Sequence, residues 1–391
     1  MKFAASQTVI NAPFPVKQFG HISQVTELSE YHDDLHARLL YLEDESTAWL
    51  SISADNIEME IDVQKKIEKE LMTFFGKPLH VTLSCTHSHH CCDPENPIYV
   101  QFFIDRVVQC AKEMHIKEMG NLTISYTTAY FDGVGKSRIS HHEADSLQVD
   151  LFQIKQEEKE LANIIIHNVH PTILFSTTPY FSAEYPGYLL QRLNETEPNV
   201  FHTFLNGAAG DTSTRFTRTC QTYASVERLG EKLFNKVMEL KKEEKTSVPL
   251  QLTYVSEIIP LNHQFHPIDM SKMPSNLSAR EIETIVYGQI MRQRLKDSPE
   301  ALKKEVLLSC MDFGGPRIVF APNEMFSWYR TQVDDSFCAL VCYSNGHAPY
   351  ITGPGQYLLT YETFTDTLTD ESKLRIISFL QRYGQKQEKN Q

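Results

Sequence analysis

The chain is 391 residues long, 41% hydrophobic and 22% charged, which is enough apolar material for a sizeable core and too much for a disordered chain. Its 37 basic residues stand against 50 acidic ones, a formal charge of -13, so a polyanion is repelled over most of the surface and nucleic acid is excluded as a natural partner. Residues 1–16 lack a basic start followed by an apolar run, and no stretch approaches the ~18 apolar residues of a membrane span, which predicts a cytoplasmic protein with no transmembrane segment.

In chain order, 37–56 (ARLLYLEDESTAWLSISADN) reads as two apolar runs around an acidic turn, a hairpin whose second strand ends at Asp55. Asp62 is the expected cap of an amphipathic helix with Ile67, Leu71 and Phe75 on one face and Gly76 at its end. A short strand over 79–85 runs into the loop THSHHCCDP and a helix over 97–113, the layout of a site at a strand's carboxyl end. Strands are predicted over 121–131, 147–155, 163–169 and 200–205, the last ending in the turn NGAAGD. A helix follows over 225–244, with Leu229, Leu233, Val237 and Leu240 at helical spacing. Segment 264–299 turns polar and Met-rich, an insertion or lid with one helix over 279–296. Strands return at 317–320 and 337–343, and a helix capped by Thr369 ends the fold. The expected architecture is α/β in the mixed α+β sense: mixed β-sheets flanked by helices in a single domain spanning 1–391. Eight cysteines without CxxC spacing read as free, mostly buried thiols, with the vicinal pair Cys91 and Cys92 set directly after a histidine cluster.

Three segments carry residues suited to chemistry. In Thr86-His87-Ser88-His89-His90, an extended backbone turns His87 and His89 to one side and Ser88 and His90 to the other, so the run is either a ligand pair or a solvated surface cluster. His170 ends an apolar strand and is followed by Pro171, which favours an extended backbone at the histidine and fixes the direction of its ring, whether as a ligand or as a structural residue. The turn at 206–213 (NGAAGDTS) offers Gly207 and Gly210 for close backbone approach and Asp211 as a residue that orients a ligand histidine without touching the metal; a plain turn with a helix cap is the other reading.

Together these segments resemble the neutral, non-lysosomal ceramidase family, whose members show a THTHSGP-like motif, then HPT followed by S-[AG]-D-x-x-G-Y, then a G-x-x-G-D-x-S turn. This chain has CTHSHH at 85–90, HPT at 170–172 with SAEYPGY at 182–188, and GAAGDTS at 207–213, in the same order. The resemblance extends to DLHAR at 34–38, GVGKSR at 133–138, APNEMF at 321–326 and SNGHAPYITGPGQYLLTY at 344–361. It departs at His90-Cys91-Cys92, where the family has SGP, and it covers the catalytic domain only.

What the resemblance implies is a zinc ion held by His87, His170, Glu324 and Tyr350, with His89 beside the water that the metal activates. Arg138 and Tyr361 then contact the substrate carbonyl, and Ser213 takes the place of the family's essential serine. The implied reaction is hydrolysis of an N-acyl amide by metal-activated water, with Ser213 as the alternative nucleophile. The substrate is ceramide or a smaller, more soluble N-acyl amide. A metal-dependent esterase or phosphoesterase, or a catalytically silent metal-binding relative, are the competing readings; no sequence feature speaks to oligomeric state.

Overall fold

The structure is a computed structural model of the chain, and it describes residues 1–21, 27–139, 146–243, 245–273, 275, 277–354 and 359–385. Its content is mixed α+β. In the first large sheet the strand order is His80–Cys85, Ala48–Ala54, His36–Glu43, Lys2–Val9 and Lys117–Glu118. The second runs Phe201–Asn206, Lys159–His167, Gln148–Gln156, Leu122–Tyr130 and Ser247–Pro249. The third runs Thr253–Pro260, Glu305–Asp312, Arg317–Phe320 and Cys338–Val341.

Period-two alternation sorts the side chains of these strands between two faces. Leu39 and Tyr41 pack towards the helices Ile61–Phe75 and Pro97–Lys112, whereas Leu40, Leu42 and Trp49 point the other way. Leu151 and Ile165 pack with Leu189, Leu229 and Leu233 of the helices Glu184–Thr196 and Tyr223–Leu240, whereas Phe152, Ile164 and Ile166 turn inward. The inward faces of all three sheets meet in one apolar layer that also holds Phe313, Ile318 and Phe320. The result is helices, sheet, sheet, helices, a layering that buries both faces of each central strand.

Each large sheet contains one parallel pair: Ala48–Ala54 with His80–Cys85, Lys159–His167 with Phe201–Asn206, and Arg317–Phe320 with Cys338–Val341. The carboxyl ends of these strands come together. The Cys85 amide donates to the Tyr343 carbonyl at 3.0 Å and the Cys342 amide to the Asn206 carbonyl at 2.9 Å. Such convergent strand ends are where α/β folds place their sites.

Several sequence expectations shift. The first helix begins at Ile61 with Glu60 in the cap position and no side-chain cap bond; Asp62 lies in the first turn, where its charge meets the positive end of the helix dipole. The helix expected over 225–244 spans Tyr223–Leu240, and Glu244 falls outside the described residues. Among the strands not anticipated, the longest are Lys2–Val9, Thr253–Pro260 and Glu305–Asp312. The second is a half-exposed edge strand carrying Glu257 and Pro260, so it has no alternation to read. The insertion's helix is Ala279–Asp297, with a capping box between Ser278 and Glu281. All eight cysteines are free, and all but Cys220 are buried. Among the described residues no helix is long and apolar enough to cross a membrane.

Candidate metal centre

His87 stands two residues beyond the end of His80–Cys85 and has φ +65°. The extended backbone expected through His87-Ser88-His89 is therefore absent. A left-handed residue costs a non-glycine side chain about 1 kcal/mol or more, and here tertiary bonds hold it. The His87 amide donates to the Asn56 carbonyl at 2.9 Å, and the ring is stacked on Tyr343 with centroids 3.9 Å apart. His87 and His89 still face one another, their ring centroids 4.9 Å apart. His90 turns away, as expected, into a separate buried cluster, its Nδ1 3.3 Å from His21 Nε2 and 3.7 Å from Glu184 Oε1.

The three histidines of the centre share one hydrogen-bond pattern. Nδ1 of His87 lies 2.9 Å from the Ile57 carbonyl, Nδ1 of His89 2.6 Å from the Gly20 carbonyl, and Nδ1 of His170 2.6 Å from the Ala209 carbonyl. A carbonyl only accepts, so each Nδ1 carries a proton, and in a neutral ring the lone pair then lies at Nε2. Burial favours the neutral form of two of these rings. It pushes the His170 imidazole down to about 4, with Arg138 adding to the effect, and it holds His89 well below the usual histidine range, with His87 and His170 adding to the effect.

These lone pairs converge. The ligating atoms of His87, His89 and His170 lie within 4.8 Å of one another, close enough to share one ion. Nε2 of both His87 and His170 lies 3.2 Å from Glu324 Oε2, and His170 Nε2 is also 3.2 Å from the Tyr350 hydroxyl. The Nε2 atoms of His87 and His89 are buried with no hydrogen-bond partner. Buried acceptors aimed at one another and at a carboxylate are unfavourable unless a cation lies between them, so this donor set fits a metal ion. Burial pushes the Glu324 carboxyl up, but the adjacent His87 and His170 pull it well below the usual carboxylate range; burial and the Glu324 charge keep the Tyr350 phenol raised.

The turn after Phe201–Asn206 supports the centre differently from expectation. Its Ala209 carbonyl, not Asp211, orients His170. The Asp211 carboxylate accepts from the Ser327 amide at 2.5 Å and the Ser327 hydroxyl at 2.9 Å, and the Gly210 amide donates to the Met325 carbonyl at 2.7 Å. The turn thus clamps the segment that carries Glu324. Burial pushes the Asp211 carboxyl up to about 6 against those Ser327 bonds.

Arg138 donates to the Gly210 carbonyl at 2.7 Å and the Tyr350 hydroxyl at 3.0 Å, and its Nε lies 2.9 Å from Glu362. The Tyr361 ring meets that of Tyr350 edge-on at 5.8 Å and stacks on Tyr287 of the insertion helix at 6.0 Å. Ser213 is buried and its backbone bridges to His170; its hydroxyl accepts from the Arg215 amide at 3.2 Å. Sequence reasoning missed Tyr343, Glu362 and Glu184. Glu184, at φ +55°, is a buried carboxylate that accepts from the Ile173 and Leu174 amides just past the His170-Pro171-Thr172 segment. The SAEYPGY run at 182–188 was its only signal.

No family model matches the chain, and no curated protein matches its sequence. Solved structures do. The neutral ceramidase from Pseudomonas aeruginosa superposes with a TM-score of 0.77 at 12% identity, covering 98% of this chain and 74% of that one. A ceramidase described as complexed with C2 gives the same values. Identity this low speaks to architecture alone. Over nearly its whole length, the chain has the neutral ceramidase fold.

Proposed function

We propose that the protein is a zinc-dependent hydrolase that cleaves an N-acyl amide, either ceramide or a related N-acyl compound. The observation that carries this reading is the convergence of buried Nε2 lone pairs with Glu324 and Tyr350 on one point. Nitrogen and oxygen donors in that number suit zinc, with His87, His170, Glu324 and Tyr350 as the ligands. When bound, zinc supplies a Lewis acid for the amide carbonyl and lowers the pKa of water from about 15.7 toward ~7.

The chain's own residues supply the rest. His89, fixed by its Nδ1 bond to Gly20, keeps a buried Nε2 lone pair that takes and returns a proton. Arg138 and Tyr361, beside Tyr350, orient the substrate carbonyl and balance charge that develops on its oxygen. Among the described hydrogen bonds none joins the Ser213 hydroxyl to a histidine, which favours water over Ser213 as the nucleophile. The 264–299 insertion, packed against Tyr361 through Tyr287, serves as a lid.

The test is hydrolysis of matched N-octanoyl amide, octanoate ester and phosphodiester substrates by zinc-loaded protein. Amide cleavage that stops on chelation and returns with zinc is expected. Cleavage of the phosphodiester alone contradicts the reading.

A further inference from the structure

Arg215 lies within electrostatic reach of three other arginines, Arg138, Arg218 and Arg280, the first of which reaches Tyr350 of the centre, in a chain whose net charge is -13. Those three are accounted for. Arg138 has Glu362 at 2.9 Å, and Arg280 has Glu283 at 2.6 Å. Arg218 donates to the Thr172 carbonyl and lies in the field of Glu184. Arg215 differs: among the described residues, its guanidinium makes no hydrogen bond, ion pair or ring contact.

Its position is fixed by the backbone. Ser213 bridges to His170 and pairs with Lys136, two residues from Arg138. Arg215 follows in the turn Thr214–Phe216, and the Arg218 amide closes that turn on the Thr214 carbonyl at 2.9 Å. The turn therefore runs alongside the His170-Pro171-Thr172 segment. Arg215 is half-buried, and burial, with Arg138 and Arg280 adding repulsion, pulls it down to about 10 although Glu362 opposes this. A half-buried cation left unpaired among like charges is unfavourable in the free protein, and an anion arriving beside it removes that cost. Guanidinium binds carboxylate and phosphate through two parallel hydrogen bonds. A neutral sphingoid head offers it no such partner.

We propose that Arg215 is a specificity-determining residue that pairs with an anionic group, carboxylate or phosphate, carried by the substrate near its scissile amide. The inference rests on the N-acyl amide reading and narrows it to acidic N-acyl amides.

The experiment uses zinc-loaded full-length protein and three substrates with one acyl chain: N-octanoylglycine, N-octanoyl-O-phosphoethanolamine and neutral N-octanoylethanolamine. The ratio of kcat/KM between an acidic substrate and the neutral one is expected to be about tenfold or more in the wild type and to fall towards unity in Arg215→Ala. Arg215→Lys, which keeps the charge without the fork, should retain part of the preference. The favoured acidic substrate tells carboxylate from phosphate. A wild-type ratio near unity, or one that Arg215→Ala leaves unchanged, overturns the inference while leaving amide hydrolysis in place. If none of the three is cleaved, the function reading fails, and calorimetry of N-octanoylglycine and N-octanoylethanolamine binding decides separately. Tighter acidic binding that Arg215→Ala abolishes supports the anion site, and equal affinities overturn it.

Discussion

At the level of single residues, the centre is built from side chains whose orientation is set by what they bond behind them. His89 resembles His87 and His170 in its Nδ1 bond and in its distance to the others, yet only the latter two touch Glu324. On the proposed reading, that difference makes His89 the proton carrier and the other two the ligands. His89→Gln is expected to retain the ion through dialysis while kcat falls by roughly 10²–10⁴; an ion lost with His89 would make it a third nitrogen ligand instead. A second pair stands behind the site. His347 Nδ1 lies 2.8 Å from Glu58 Oε2, next to Ile57, whose carbonyl orients His87. Burial opposes the charged ring, but Glu58 pushes it up to about 9. A folded-state value raised above 6.5 means stability fully present below pH 6.5 and lost as pH rises through 9. The expected loss is roughly 2–3 kcal/mol, reduced by the 21% exposure of the ring. Denaturant melts from pH 6 to 10 should show that slope in the wild type and a flatter one in Glu58→Gln; equal slopes would remove the ion pair from the account.

At the level of elements, the turn at 207–213 works because it comes very close to the strand Asn323–Met325. A Cβ on Gly210 would meet the Glu324 carbonyl oxygen at 2.6 Å and the Met325 carbonyl carbon at 2.8 Å. Gly210→Ala is therefore expected to cost ~1–3 kcal/mol in denaturant melts and to weaken metal retention, because the segment carrying Glu324 has to move; unchanged stability and metal content would show that the turn is not a clamp. Elements of this kind were partly legible. Strand ends bearing His87, His170 and the GAAGD turn stand out as apolar runs that stop at chemistry-bearing residues. The left-handed backbone at His87 did not, since periodicity carries no sign of a positive φ imposed by distant contacts. Nor did the Ala209 carbonyl, because any residue supplies that group and only the fold says which one meets His170. Glu324 and Tyr350 sit in short, irregular strands and were legible only through the family resemblance.

For the molecule as a whole, three sheets each deliver one parallel pair to a shared edge, and the residues of the centre come from distant segments of the chain, with Glu324 154 positions from His170 and Tyr350 180 positions from it. An apolar layer common to all three sheets holds those edges in register, so the centre is a property of the packed core and not of any one segment. Dissolving that layer would scatter the ligands, which predicts that bound metal raises the unfolding temperature of the entire chain in one transition. The central claim is that a single buried point binds one zinc ion through His87 and His170. Elemental analysis of protein purified without added metal, set beside His87→Ala and His170→Ala variants that retain the wild-type circular dichroism spectrum, tests it most directly. One zinc per wild-type chain and little in either variant is the expected result; a wild-type chain that binds no divalent metal even after incubation with zinc, or variants that keep a full equivalent, would contradict it.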